Sequence, residues 1–113
     1  ILFVPSLIYV GAGTAKSKEI IISKAELENI PIIKDGLFIT KDTEDKFVVL
    51  SLKCTHLGCT LNYDRQNRLL VCPCHGSMFN LNGENVKGPA KISLTKPDYK
   101  IDNKGNLIVT LVN

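Results

Sequence analysis

From residue 18 onward the chain sets short apolar runs, rich in β-branched residues, between turn-forming polar stretches, and it never sustains a helical period. That pattern predicts an all-β domain. Segments 19–23, 37–40 and 47–52 read as strands, turned by Lys34, Asp35 and Gly36 and then by the stretch 42–45. Residues 23–28 leave room for one helical turn. Near the end, 99–102 and 106–112 flank Asn103, Lys104 and Gly105, a hairpin signal with glycine where a positive φ is needed. Pro31, Pro89 and Pro97 fall where loops or edge strands tolerate a missing donor.

The front of the chain departs from this pattern. Residues 1–10, ILFVPSLIYV, are almost wholly apolar and run through small residues at 11–15 to the first charge, Lys16. Ten residues are too few to span a bilayer, which takes about 20. They read either as the remnant of a membrane anchor followed by a flexible neck or as a strand packed on the domain. The predicted organisation is therefore an N-terminal segment, 1–17, and a domain, 18–113. An apolar fraction of 44% argues for a folded core. The net charge of +3, without a run of basic residues, argues against nucleic acid as a partner.

The chemistry is concentrated. All four cysteines and both histidines lie in two segments, CTHLGC from Cys54 to Cys59 and CPCHGS from Cys72 to Ser77. Short strands at 60–63 and 68–71, joined by the polar stretch 64–67, would form an antiparallel pair, with one segment entering it and the other leaving it at the same end. Two neighbouring loops can then each bring one Cys and one His to a common point, Cys54 with His56 and Cys72 with His75. Cys59 and Cys74 remain, again one per loop. By count alone, a disulfide framework, a zinc site and an iron-sulfur site all stay open. Zinc sites more often place a Cys pair on one element and a His pair on another. A 2Fe-2S centre in which two His replace two Cys on one iron takes one Cys and one His from each loop equally well.

CTHLGC and CPCHGS resemble the two cluster-binding boxes of the Rieske iron-sulfur proteins of cytochrome bc complexes. The resemblance covers the boxes letter by letter and, more loosely, residues 18–113. It implies stacked antiparallel sheets with a small cluster-binding subdomain at about 53–91. It implies one 2Fe-2S cluster, with Cys54 and Cys72 on the buried iron, His56 and His75 on the outer iron, and a disulfide between Cys59 and Cys74. Gly88, Pro89 and Ala90 resemble the family's proline loop, and Leu57 would belong to the apolar tip that docks on cytochrome b.

The function so implied is electron transfer from quinol, with a proton coupled at a His ligand, to a c-type cytochrome. His75 would contact the quinol. Turnover would need the assembled complex, because the quinol pocket belongs largely to the partner subunit. Ser77 stands where the family places a hydroxyl that donates to a cluster sulfide. Phe79 stands where high-potential members carry tyrosine, so a lower potential and a donor such as menaquinol are expected. A disulfide calls for an oxidising space, which puts the head on the periplasmic, outer side of a membrane. The alternatives are the Rieske small subunit of a molybdenum oxidoreductase such as arsenite oxidase, and a zinc-stabilised binding module.

Overall fold

A computed structural model describes residues 17–55 and 58–112. The expectations for an anchor or neck in 1–16, and those for His56 and Leu57, lie outside the described residues. Strand β1 (Ser17–Ile22) leads into the single-turn helix α1 (Lys24–Leu27), then β2 (Ile32–Lys34), β3 (Leu37–Lys41) and β4 (Phe47–Ser51). After the first box come β5 (Asn62–Asp64) and β6 (Leu69–Val71), and after the second come β7 (Met78–Phe79) and β8 (Asn85–Lys87). β9 (Asp98–Ile101) and β10 (Leu107–Val112) close the chain. They form three antiparallel sheets, ordered β9-β10-β1, β2-β3-β4 and β5-β6-β7-β8.

The middle sheet organises the rest because both of its faces are buried. Leu37, Phe38 and Ile39 are consecutive and all fully inside, with Phe38 opposite Leu50 and Ile39 opposite Val49. Side chains on a strand alternate between faces. Leu37, Ile39 and Val49 therefore join Ile20, Ile22, Leu107 and Val109 in one core, against the terminal sheet. Phe38 and Leu50 point the other way, into a second core with Leu52, Leu61, Leu70, Phe79 and Leu94. Burying side chains of this size contributes about 1.5–3 kcal/mol each. The second core is the floor of the box region, since it also contains Cys54 and Cys72.

Local chemistry fixes the turns. Asp35 and Gly36 have φ of 50° and 78°, the paired positive values of a tight hairpin between β2 and β3. At the β9–β10 turn the Asp102 carboxylate accepts from the backbone N–H groups of Lys104 and Asn106. The predicted helical turn is present, capped reciprocally by Ser23 and Glu26. Three strands absent from the sequence reading, β2, β7 and β8, have only two or three residues each. β6 begins at Leu69 because Arg68, expected inside the strand, takes φ 55° in the turn. Among the described residues no helix is long and apolar enough to cross a membrane.

Candidate metal centre

The β5–β6 hairpin pairs Asn62 with Val71, so the end of one box and the start of the other stand side by side, as expected. The two loops share one backbone design. In the first, Cys54 N–H donates to Cys59 O at 2.7 Å and Gly58 N–H to Cys54 O at 2.8 Å. In the second, Cys72 N–H donates to Ser77 O at 2.8 Å and Gly76 N–H to Cys72 O at 3.0 Å. The glycines match as well, with φ of 76° and 78°. A backbone that turns back so tightly leaves the first residue of each loop facing inward.

Those first residues are Cys54 and Cys72, free thiols that are 2% and 1% exposed. Burial pushes the Cys72 thiol up, but hydrogen bonds from the backbone N–H groups of His75 and Cys74, and the contact with Cys54, outweigh it and hold the thiol below the ordinary cysteine range. Donors aimed at a buried sulfur stabilise a thiolate, the form that binds metal. The donor set thus fits an iron-sulfur cluster. Cys59 and Cys74 are disulfide-bonded, with Cα atoms 6.5 Å apart. The bond ties loop to loop, and His75 is exposed on the outer side of the second.

The expected tuning and covering residues surround this point. Ser77 and Phe79 are both fully buried, and Phe79 shares the core that contains the two free thiols. The Ser77 hydroxyl accepts from Ala90 N–H at 3.1 Å, which leaves its own proton to donate. Gly88 has φ 96°, and a Cβ there would stand 2.5 Å from Ser77 Cα and 2.9 Å from Ser77 N. The chain of the proline loop therefore lies directly on the backbone of the second box. Within that loop Gly88 and Pro89 are exposed while Ala90 is buried, so Ala90 is the anchor and its two neighbours form the surface.

Two positioning residues have no sequence signal. Thr55 Oγ1 donates to Ile92 O at 2.7 Å and ties the first box to the segment after the proline loop, 37 residues away. Lys53 pairs with Thr60 in a bridge that closes the neck of the same box.

Three antiparallel sheets with two cysteine loops clamped at one end define a small redox domain built around a metal cluster. The Rieske [2Fe-2S] domain profile matches residues 14–98. The cytochrome b6-f complex iron-sulfur subunit of Prochlorococcus marinus (strain AS9601) is 32% identical over 120 residues, which cover 87% of this chain and 63% of that protein. The chloroplastic cytochrome b6-f complex iron-sulfur subunit of Arabidopsis thaliana is 42% identical over 55 residues, 49% of this chain and 24% of that protein. The crystal structure of the plasma membrane Rieske protein PetC3 from Synechocystis PCC 6803 superposes with a TM-score of 0.56 at 26% identity, over 77% of this chain and 93% of that one.

The chain belongs to the Rieske [2Fe-2S] domain family, whose domain binds one 2Fe-2S cluster. It spans 63% of the length of the cyanobacterial relatives it matches.

Proposed function

We propose that this domain is the electron-transfer head of a quinol-oxidising cytochrome bc-type complex. Cys54 and Cys72 bind the inner iron through thiolates, His56 and His75 bind the outer iron through imidazole, and the Cys59–Cys74 disulfide clamps the loops over them. The observation that carries this reading is the ordering by depth. Two free thiols lie inside one apolar core, and His75, on the loop of Cys72, faces solvent. Such an order shields the charged sulfurs and presents an imidazole to whatever docks outside.

When bound, the cluster takes up one electron. The work of the chain is then to place a proton acceptor beside the electron's entry point. His75 supplies a ring nitrogen that hydrogen-bonds the quinol hydroxyl and receives its proton. Gly88 and Pro89 form the face that seats on cytochrome b, and Ala90 holds that face down through Ser77; the resemblance gives Leu57 the same docking role. The Ser77 proton is available to a cluster sulfide. Phe79 offers no hydroxyl, so the potential lies low in the Rieske range and menaquinol is the fitting donor. A c-type cytochrome is the acceptor. The cluster-binding part of the domain, at about 53–91, lies on the outer side of the membrane. The b6-f relatives support membership of such a complex.

The test is electron paramagnetic resonance of the dithionite-reduced protein, followed by its midpoint potential against pH. A Rieske signal, with a potential that falls as pH rises, is expected. An absent signal would remove the assignment. Copurification with a large molybdopterin subunit instead of cytochrome b would move the domain to a molybdenum oxidoreductase.

A further inference from the structure

Charge is divided unevenly along the chain. Residues 17–52 carry five lysines against seven carboxylates, whereas residues 53–96 carry six basic side chains against two carboxylates. Both of those carboxylates belong to turns away from the boxes. Asp64, at the β5–β6 turn, accepts from Asn67, and Glu84, at the β7–β8 turn, accepts from Asn80. The boxes stand at the other end of these hairpins, where Asn62 pairs with Val71 and Met78 with Lys87. Arg65 and Arg68 stay with the first turn. Lys53, Lys87, Lys91 and Lys96 are left at the box end, and all four are exposed.

Each of them adjoins a residue already placed at the site. Lys53 precedes Cys54 and lines one cleft with Lys96, Thr55 and Gly58, where Asp98 is the one carboxylate among the described residues. Lys87 precedes Gly88, which lies on the backbone of Ser77, and Lys91 follows Ala90, which donates to Ser77. The ion pairs among the described residues all join side chains of the other part of the chain: Lys34 with Glu26, Lys41 with Asp45 and Lys46 with Glu44. The lysines of the box end are in none of them. Val86 and Ile92, 52% and 67% exposed, stand next to Lys87 and Lys91. Apolar side chains set among unpaired cations suit a partner that brings the carboxylates.

Resting on the electron-transfer reading above, we infer that the box end docks on an acidic redox protein: the electron's recipient presents carboxylates around its own cofactor edge, opposite Lys53, Lys87, Lys91 and Lys96. Opposite charges on the two faces raise the encounter rate and orient the approach. The carboxylate excess of residues 17–52 repels the same partner, so the box end arrives first. One electron then leaves the reduced cluster, which returns to its oxidised state, and the ferric haem of the recipient becomes ferrous.

Two c-type cytochromes serve as probes, one with an acidic face at its haem edge and one with a basic face. Nuclear magnetic resonance follows binding of each oxidised cytochrome to the isotope-labelled, cluster-loaded protein, and stopped flow follows electron transfer from the dithionite-reduced protein. Salt is raised from about 0.01 M to about 1 M, over which the screening length falls from about 30 Å to about 3 Å. The second-order rate with the acidic probe is expected to fall about tenfold or more, with amide shifts at the four lysines, and the rate with the basic probe to rise. Lys53→Gln with Lys96→Gln, and Lys87→Gln with Lys91→Gln, weaken binding of the acidic probe and flatten its salt dependence. Lys24→Gln with Lys104→Gln removes the same charge at the opposite end of the terminal sheet, where Lys24 packs by Gly105, and changes neither. Binding and rate with the acidic probe that ignore salt, or an equal effect of the control pair, overturn the inference. Binding to phosphatidylglycerol vesicles through the four lysines, without salt-dependent binding of the acidic probe, overturns it in favour of a lipid surface. A missing Rieske signal removes the electron-transfer reading itself, whereas a Rieske signal with salt-independent binding removes only this inference.

Discussion

Gly88→Ala tests whether the proline loop is held by backbone contact. The new Cβ would stand 2.5 Å from Ser77 Cα, 2.9 Å from Ser77 N and 3.0 Å from Gly76 O, and none of these is the movable end of a side chain. Holding a non-glycine residue at φ 96° costs on the order of 1–3 kcal/mol. Overpacking against fixed atoms adds about 1–3 kcal/mol. Relief requires the loop to lift, which breaks the Ala90 N–H to Ser77 Oγ bond and leaves a buried hydroxyl short of a partner. The expected loss is about 2–6 kcal/mol, from a total that is about 5–15 kcal/mol for a native domain. Gly36→Ala is the matched control, because its φ is 78° and nothing lies within 4 Å of the added Cβ, so strain acts there without a clash. Denaturant unfolding of the two variants, both carrying cluster, gives the difference directly. A Gly88→Ala protein no less stable than Gly36→Ala would refute the close approach.

Phe79→Tyr should raise the midpoint potential. Its ring is fully buried beside the free thiols, and a hydroxyl reaching the Cys54 sulfur contributes about 1.5–3 kcal/mol, on the order of 60–130 mV for one electron; voltammetry that shows no rise would discard that role. Replacing Cys59 and Cys74 by serine opens a cross-link with a sequence separation of 15, a loss of about 3 kcal/mol by loop entropy. The loss should be smaller with the cluster bound, because Cys54 and Cys72 then already close a loop through the same hairpin; equal denaturation midpoints with and without disulfide in the cluster-free protein would contradict this. Hydrogen bonds from Asn106 and Lys104 hold the Asp102 carboxyl below the ordinary aspartate range. A depressed folded-state pKa gives stability that is present above the unfolded value and lost as pH falls through the folded one. Asp102→Asn should therefore unfold more easily than wild type at neutral pH and converge with it in acid, as read by melting temperature across pH.

The features legible in sequence are the ones specified locally. Asp35-Gly36 and Asn103-Lys104-Gly105 carry their own turn chemistry, and both turns formed where expected, the first as a hairpin with the unanticipated strand β2. Cys59 and Cys74 are disulfide-bonded, as the family resemblance implied. Leu37, Phe38 and Ile39 show the limit, because three apolar residues in a row carry no alternation and cannot reveal a sheet with a core on each face. β7 and β8 are too short to have a pattern, and their pairing depends on where the second box releases the chain. The dependence of Gly88 on Ser77 and of Thr55 on Ile92 is a backbone approach and a side-chain bond between separate segments, which no local pattern signals.

The two box loops carry the same pair of backbone hydrogen bonds and the same glycine conformation, yet their residues differ at four of the six matched offsets. Counted from the first cysteine, Cys59 matches Ser77, His56 matches Cys74 and Leu57 matches His75. The scaffold is therefore indifferent to the identity of the groups it presents, because the main chain alone makes the turn. Exchanging residues between matched offsets would rewrite ligation while leaving the loop's own bonding intact, which makes this pair of loops an interchangeable mount on which donor sets can be compared without redesigning the fold.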